Sequence, residues 1–438
     1  MNKTRVLIMG AAGRDFHNFN TVYRNDPNSQ VIAFTATQIP TIEGRRYPPE
    51  LSGDLYPEGI PIYDEKNLSQ LISNLNIDDV IFSYSDISHV FVMHQASEIL
   101  KSGANFKLLG SEKTMIKSSK PVIAIGAVRT GSGKSQTTRR VAEILKEAGK
   151  QVVVIRHPMP YGDLVKQKVQ RFARLDDLKT HNCTIEEMEE YEPHIVTGSV
   201  VYAGVDYQAI LDEAEKEADV ILWDGGNNDL PFYKPDLFIV VVDPHRPGHE
   251  LAYFPGESNF RMADVIIINK VDTAEPHNVD IVMENIQQTN PGAMIIKANS
   301  PVTLEDHSVI AGKRCLIVED GPTVTHGEMK YGAGTVAAKK FGASEIIDPR
   351  PWIVGTITKT FEKYPEIGIL LPAMGYGGKQ IKDLEQTINA VDCDVVVIGT
   401  PIDLRRIITI NKPSVRVIYN LEEIGSPNLK DALAPFTS

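Results

Sequence analysis

Residues 122–135, VIAIGAVRTGSGKS, constrain the fold more than any other part of the chain. The unbroken apolar run reads as a strand buried on both faces, as in a parallel sheet. A glycine-rich turn follows, and then a polar stretch, 136–148, that reads as helix. Strand, loop and helix in that order build a phosphate cradle. Glycines let backbone N–H groups converge on an anion, the helix N-terminus adds partial positive charge, and a lysine reaches the outer phosphates. Thr130, Gly131, Ser132, Gly133, Lys134, Ser135 and Gln136 are the candidate nucleotide contacts, with the Ser135 hydroxyl placed for Mg²⁺. The pattern departs from the usual one at its first glycine, where Val128 stands; Gly126 lies two residues earlier. The TGSGKS core is intact and outweighs the alternative, an ordinary glycine-rich turn before a helix.

A chain of 438 residues is too long for one hydrophobic core. Alternating strand and helix patterns divide it into 1–118, 119–310 and 311–438. The expected fold class is α/β: a central P-loop NTPase-type parallel sheet, flanked by an N-terminal Rossmann-like domain and a C-terminal α/β extension that contributes substrate loops. The net charge of −12 argues against a general nucleic-acid surface and leaves room for a local cationic pocket. Cys183, Cys315 and Cys393 share neither metal-ligand nor disulfide spacing, which points to a reducing compartment. No leader pattern and no apolar run near the ~20 residues of a membrane span are present, so a soluble, cytoplasmic protein without membrane partners is expected. A homodimer is the default assembly.

In the first unit a Gly10…Gly13 turn follows the strand 5–9. It lacks the third glycine of a dinucleotide fingerprint, and the strand 31–35 runs on into threonines rather than an acid, which disfavours NAD. Arg14, His17 and Asn18 follow the turn, and Arg45 and Arg46 lie in the loop 41–49. Two such loops at one sheet edge would converge on a phosphate or carboxylate. The bland alternative is a solvated arginine pair.

In the second unit the strand 151–155 ends in Arg156 and His157. The strand 218–224 ends in Asp224, followed by two glycines, where a nucleotide fold needs a carboxylate for Mg²⁺ and a mobile γ-phosphate sensor. Asn269-Lys270-Val271-Asp272 directly follows an apolar strand. The Asp272 carboxylate can accept from guanine N1–H and its exocyclic amine, a paired edge that adenine lacks; capping of the next helix is the alternative. The charged piece 185–191 reads as an exposed helix face. The polar loop 319–334, carrying His326, Glu328 and Lys330 among glycines, reads as part of a site.

With VLIMGAAGRDFHNFN (6–20), TGSGKS (130–135), VEDGPTVTHG (318–327) and LPAMGYG (371–377), the chain resembles the cyclic 2,3-diphosphoglycerate synthetase-like family over nearly its whole length. That family also includes predicted GTPases. The resemblance implies an ATP- and Mg²⁺-dependent enzyme that closes an intramolecular phosphoanhydride on 2,3-diphosphoglycerate. Asn269, Lys270 and Asp272 point to GTP instead, so the expected cofactors are GTP or ATP with Mg²⁺. In this reading Lys134 holds the β- and γ-phosphates, and Ser135 and Asp224 hold the metal. Arg14, Arg45, Arg46, Arg156 and Lys330 clamp the acceptor, with His17 and Asn18 beside them, and His157 and His326 carry protons. The expected activity is a phosphotransferase or ligase acting on a small anionic, phosphorylated metabolite. The rival is a regulatory or metallochaperone-type GTPase. The arginine-bearing glycine turns outside the central unit, and the lack of a cysteine–histidine cluster, favour the enzyme.

Overall fold

The apolar run of the phosphate loop forms the strand Val122–Ala127, buried along its whole length. The computed structural model describes residues 3–10, 13–37, 45–157, 162–325, 330–373 and 378–438. In it, this strand lies inside a nine-stranded sheet. The order is Gln170–Phe172, Val200–Ala203, Val152–Arg156, Val220–Asp224, Val122–Ala127, Leu237–Val242, Val265–Ile268, Met294–Asn299 and Glu422–Glu423. The first and last are antiparallel edges; the strands between them run parallel. Alternate residues feed two cores. Ile123 and Ile125 pack toward Val141 and Leu145 of the helix Lys134–Glu147, whereas Val122 and Ala124 pack toward Ile210, Phe260 and Ile286 on the other face. Burial on both faces is why these strands read as continuous apolar runs.

The N-terminal sheet has the order Arg46–Tyr47, Ile60–Asp64, Ser29–Ala36, Thr4–Met9, Asp79–Phe82 and Asn105–Lys107. It is joined to the central unit by a short antiparallel ladder, Ile87–Ser88 with Tyr253–Phe254. The third sheet has the order Val302–Leu304, Ser414–Tyr419, Val395–Gly399, Arg314–Asp320 and Glu345–Ile346, with Leu371–Ala373 also on Arg314–Asp320. The strand Val302–Leu304, ahead of residue 311, thus belongs to this third sheet. Within 311–438, the end of the chain returns to the centre. Glu422–Glu423 extends the nine-stranded sheet, and Leu429 and Leu433 of the helix Leu429–Thr437 cover Val141 and Leu145. Without that helix, the outer apolar stripe of Lys134–Glu147 would face water. Among the described residues, no helix is long and apolar enough to cross a membrane.

Candidate nucleotide and substrate site

The phosphate loop takes its shape from its own glycines and from three neighbouring segments. Gly133 has φ 113° and caps the helix Lys134–Glu147; a Cβ there would overlap the Asn269 amide. Val128, in place of the usual first glycine, is buried and bonds through its N–H to Val241 O (3.1 Å), so the neighbouring strand holds this first turn. Underneath, Asn269 Nδ2 donates to Ser132 O (2.9 Å), and Lys270 Nζ donates to Gly131 O (2.6 Å) and Asp243 Oδ2 (2.9 Å). Arg246 reaches Thr130 O (2.8 Å) and the same Asp243 oxygen (2.9 Å). Burial pushes the Asp243 carboxyl up, but Lys270 and Arg246 outweigh it and hold it at about 2. Two members of the Asn-Lys-x-Asp tetrapeptide are therefore loop braces. The third, Asp272, is exposed and accepts from Ser300 N–H (3.1 Å).

Asp224 ends the strand beside the loop strand and is fully buried. It is ion-paired with Lys134 and Arg156, and His194 Nε2 lies 3.4 Å from its Oδ2. Burial pushes this carboxyl up, yet Arg156, Lys134 and His194 together hold it well below the usual carboxylate range. The Arg156 guanidinium acts in opposite senses on the two partners. It favours charge on Asp224 and, after burial, is the main reason the Lys134 ammonium falls to about 8. A glycine cradle, a lysine and a serine at a helix N-terminus, and a buried aspartate on the adjacent strand fit a Mg²⁺-bound triphosphate. Lys134 would hold the outer phosphates, and Ser135 with Asp224 the metal.

Lys134, Ser135 and Gln136 open onto a cavity of about 550 Å³ between the central and third sheets. Thr130, Gly131, Gly133, Arg156, Lys270 and Lys330 line it too. The opposite wall is acidic. Glu186, Glu189 and Glu190 come from the helix Ile185–Val196, and Glu319 and Asp320 from the end of Arg314–Asp320. Glu319 is committed to structure: it accepts from Gly332, Gly334 and Thr335 N–H (3.0, 3.1 and 2.8 Å) and from the Thr335 hydroxyl (3.0 Å). It thereby fixes the segment from Lys330 to the helix Ala333–Lys340. Glu189 and Asp320 are neighbouring carboxyls joined by a side-chain hydrogen bond, and burial, then Asp320 and Glu186, push the Glu189 carboxyl well up.

The helix Ile185–Val196 corrects the exposed-face expectation: Glu186 and Glu189 are 3% and 7% exposed. Glu190 pairs with Arg156, and Glu192 with Arg406 of the third unit (2.7 Å). A signal for this existed in the sequence. Glu186, Glu189, Glu190 and His194 share one face by i,i+3 and i,i+4 spacing, below a Thr184/Glu187 capping box.

The remaining expected residues lie elsewhere. Arg14 is buried between domains, bonded to Thr114 Oγ1 (3.2 Å) and 3.8 Å from Asp229 Oδ1. The His17 ring stacks on Phe232 at 3.9 Å, and Asn18 donates to Ser83 (2.9 Å). Arg46 is spent on the carbonyls of Glu58 and Gly59 (2.9 and 3.1 Å), and Arg45 on that of Gly162. None of these five is among the described residues lining the cavity. They do not converge on it because each cation already holds internal partners. His157 is buried against Phe232 and Trp223; burial, then Arg156, Arg14 and Lys134, lower its imidazole to about 3, so it stays neutral. His326, Ala11, Ala12 and residues 374–377 lie outside the described residues. The cysteines are free, and no group of three or more metal-ligating side chains occurs among the described residues.

A phosphate loop at the carboxyl end of a central parallel strand, facing a cavity bounded by a second α/β unit, defines a P-loop enzyme. The chain belongs to the cyclic 2,3-diphosphoglycerate synthetase-like family. The model for the P-loop domain of cyclic 2,3-diphosphoglycerate synthetase matches residues 194–299. Arginine synthetase ArcE of Thermococcus kodakarensis is 65% identical, over 98% of this chain and 96% of that protein. Cyclic 2,3-diphosphoglycerate synthetase of Thermococcus sibiricus is 23% identical, over 68% of this chain and 71% of that protein. Among solved structures, LpxK from Aquifex aeolicus in complex with ATP aligns over 85% of this chain and 98% of that chain, at 12% identity and a TM-score of 0.44.

Proposed function

We propose that this enzyme is a nucleotide-driven synthetase that builds arginine, exchanging the oxygen of a ureido amino acid for nitrogen in the chamber between the central and third sheets. The relative at 65% identity bears the name arginine synthetase. The observation that carries the reading is the acidic wall opposite Lys134. Arginine is a cation, whereas 2,3-diphosphoglycerate is a polyanion. A carboxylate 4 Å from a phosphate charge costs about 4 kcal/mol at an effective dielectric of 20. Glu186, Glu189 and Asp320 therefore disfavour the diphosphate and favour a nitrogen-rich tail.

The division of labour follows from the two walls. Lys134, Ser135 and the loop amides hold the triphosphate, and Asp224 orients the metal. The nucleotide supplies the phosphoryl group that turns a ureido oxygen into a leaving group. Arg156, paired with both Asp224 and Glu190, stands between the walls to neutralise charge on that oxygen. Lys330 and Tyr331 line the chamber from the third unit. Asp272 reads a guanine base, with Ser300 orienting the carboxylate. The test is product formation. Purified enzyme with Mg²⁺, GTP or ATP, ammonium and citrulline, whose ureido tail lacks only this exchange, is expected to yield arginine by amino-acid chromatography. Cyclic diphosphoglycerate formed from 2,3-diphosphoglycerate, seen by ³¹P NMR, with no arginine, would reverse the choice.

A further inference from the structure

We infer that Glu189, paired with Asp320 across the chamber wall, is the subsite for the nitrogen nucleophile: it binds ammonium as a cation and takes the proton that nitrogen loses on attack. This rests on the arginine-forming reading above and adds to it the residues that deliver nitrogen. Three observations support it. Glu189 is 7% exposed, lines the chamber, and its Oε1 has no hydrogen-bond partner among the described residues. Its hydrogen-bond partner on the third unit is Asp320, another carboxyl, so the chain places two acidic groups together where burial makes a second charge costly. Glu186 adds a further buried carboxylate one helical turn away. A small N–H cation can donate to Glu189 Oε1 and is attracted by the neighbouring carboxyls; an anion gains neither.

The chemistry balances without another reagent. In the ligand-free protein the Glu189–Asp320 pair holds one proton, which leaves to solvent as ammonium enters. Ammonium has no lone pair, so it must lose a proton before it attacks. That proton goes to the Glu189 carboxylate, and the nitrogen lone pair forms the new C–N bond. The C–O bond to the phosphoryl-bearing oxygen breaks, its electron pair leaving on inorganic phosphate. The carbon ends as guanidinium, which stays beside the acidic wall until release. Binding the nucleophile opposite Lys134 keeps the phosphate-binding lysine and the incoming cation on separate walls.

The test is Glu189→Gln in the full-length enzyme, with ammonium, citrulline and nucleotide each varied. Removing a charged hydrogen-bond partner should raise the apparent KM for ammonium about tenfold or more. The KM values for citrulline and nucleotide should move by less than about twofold. Equal changes in all three, or an unchanged ammonium KM, would overturn the assignment. A second readout needs no turnover: ammonium chloride should raise the melting temperature of the wild type relative to potassium chloride, and Glu189→Gln should erase that difference. If this difference appears and is lost while no arginine forms, the reaction reading fails and the cation subsite stands. If arginine forms but neither readout depends on Glu189, the subsite fails alone. Stabilisation by arginine but not by ammonium, lost in the variant, would make this the product's guanidinium pocket and overturn the nucleophile role. The Gln amide can still donate to Asp320, so Glu189→Gln should melt no lower than wild type. Should it fail to fold, Asp320→Asn is read in the same way.

Discussion

Removing the Asp86 carboxylate should loosen the phosphate loop from a distance, because this side chain of the N-terminal domain holds the loop. Asp86 Oδ1 accepts from Arg129 Nε (2.7 Å) and Oδ2 from Thr130 N–H (3.0 Å), both residues of the loop. Arg129 is 1% exposed, lies 3.6 Å from the Tyr253 ring centroid, and meets His249 Nδ1 at 2.7 Å. Breaking a buried ion pair by deleting one partner costs roughly 3–5 kcal/mol. The retained contacts to Tyr253 and His249 return part of this, about 1–2 kcal/mol. Asp86 also sits at φ 57°, where alanine is worse tolerated than aspartate. The net expectation for Asp86→Ala is a loss of about 3 kcal/mol. Asp86→Asn keeps an acceptor and the backbone preference, and should lose about half as much. The decisive assay is a double-mutant cycle with Arg129→Met, read by urea unfolding and by nucleotide affinity. If the stranded guanidinium is the cause, the double variant recovers about 2 kcal/mol relative to additivity. Asp86→Ala with a loss under about 1 kcal/mol, additive with Arg129→Met and leaving nucleotide affinity intact, would refute the latch.

Lys134→Ala should leave a folded protein whose turnover falls more than about a hundredfold, since the triphosphate loses its point charge; a steady-state assay checks it. Gly133→Ala should abolish nucleotide binding in calorimetry, because φ 113° and the Asn269 amide leave no room for a Cβ. Asp272→Asn should shift base preference from GTP toward xanthosine triphosphate, checked by competition binding. Burial, aided by Asp15 and opposed by Arg14 and the Leu230 N–H, raises the Asp229 carboxyl to about 7. A carboxyl raised on folding keeps its proton in the native state, so its stabilising share is present below pH 4 and is lost as pH rises through 7. Asp229→Asn should therefore flatten stability between pH 4 and 7, as followed by denaturant midpoints; an unchanged slope would remove Asp229 as its source.

What the sequence made legible was local. The phosphate loop is written in consecutive residues, because its strand, glycines and helix start are neighbours in the chain. Asp224 was found the same way, at the end of an apolar strand followed by two glycines. The edges of the architecture were not legible. Nothing in NLEEI, residues 420–424, marks Glu422–Glu423 as an edge strand, and its pairing with Ala298 and Asn299 is decided across more than a hundred residues. The returning helix Leu429–Thr437 is amphipathic, but a sequence shows only that it has an apolar side. The partner, the Val141–Leu145 stripe, is a fact of packing.

The arginines show why charge alone misleads about a site. Arg14, Arg45, Arg46 and Arg156 look alike in the sequence, and each was read as an anion clamp. In the fold only Arg156 lines the chamber, because the others satisfy their donors on Thr114, Gly162, Glu58 and Gly59. The acidic wall failed in the opposite direction. Its two halves, 186–190 and 319–320, lie about 130 residues apart and meet only when the third sheet docks, and a run of glutamates ordinarily means a solvated helix face. The same helix that carries Glu186 and Glu189 into the chamber carries Glu190 to Arg156 and His194 to within 3.4 Å of Asp224. The helix Ile185–Val196 therefore touches Asp224 at one end and the acidic wall of the cavity at the other. In the proposed reaction, substrate at Glu189 and nucleotide at Asp224 would act on a single helix, which is the physical requirement for coupling a triphosphate to bond formation on a second substrate.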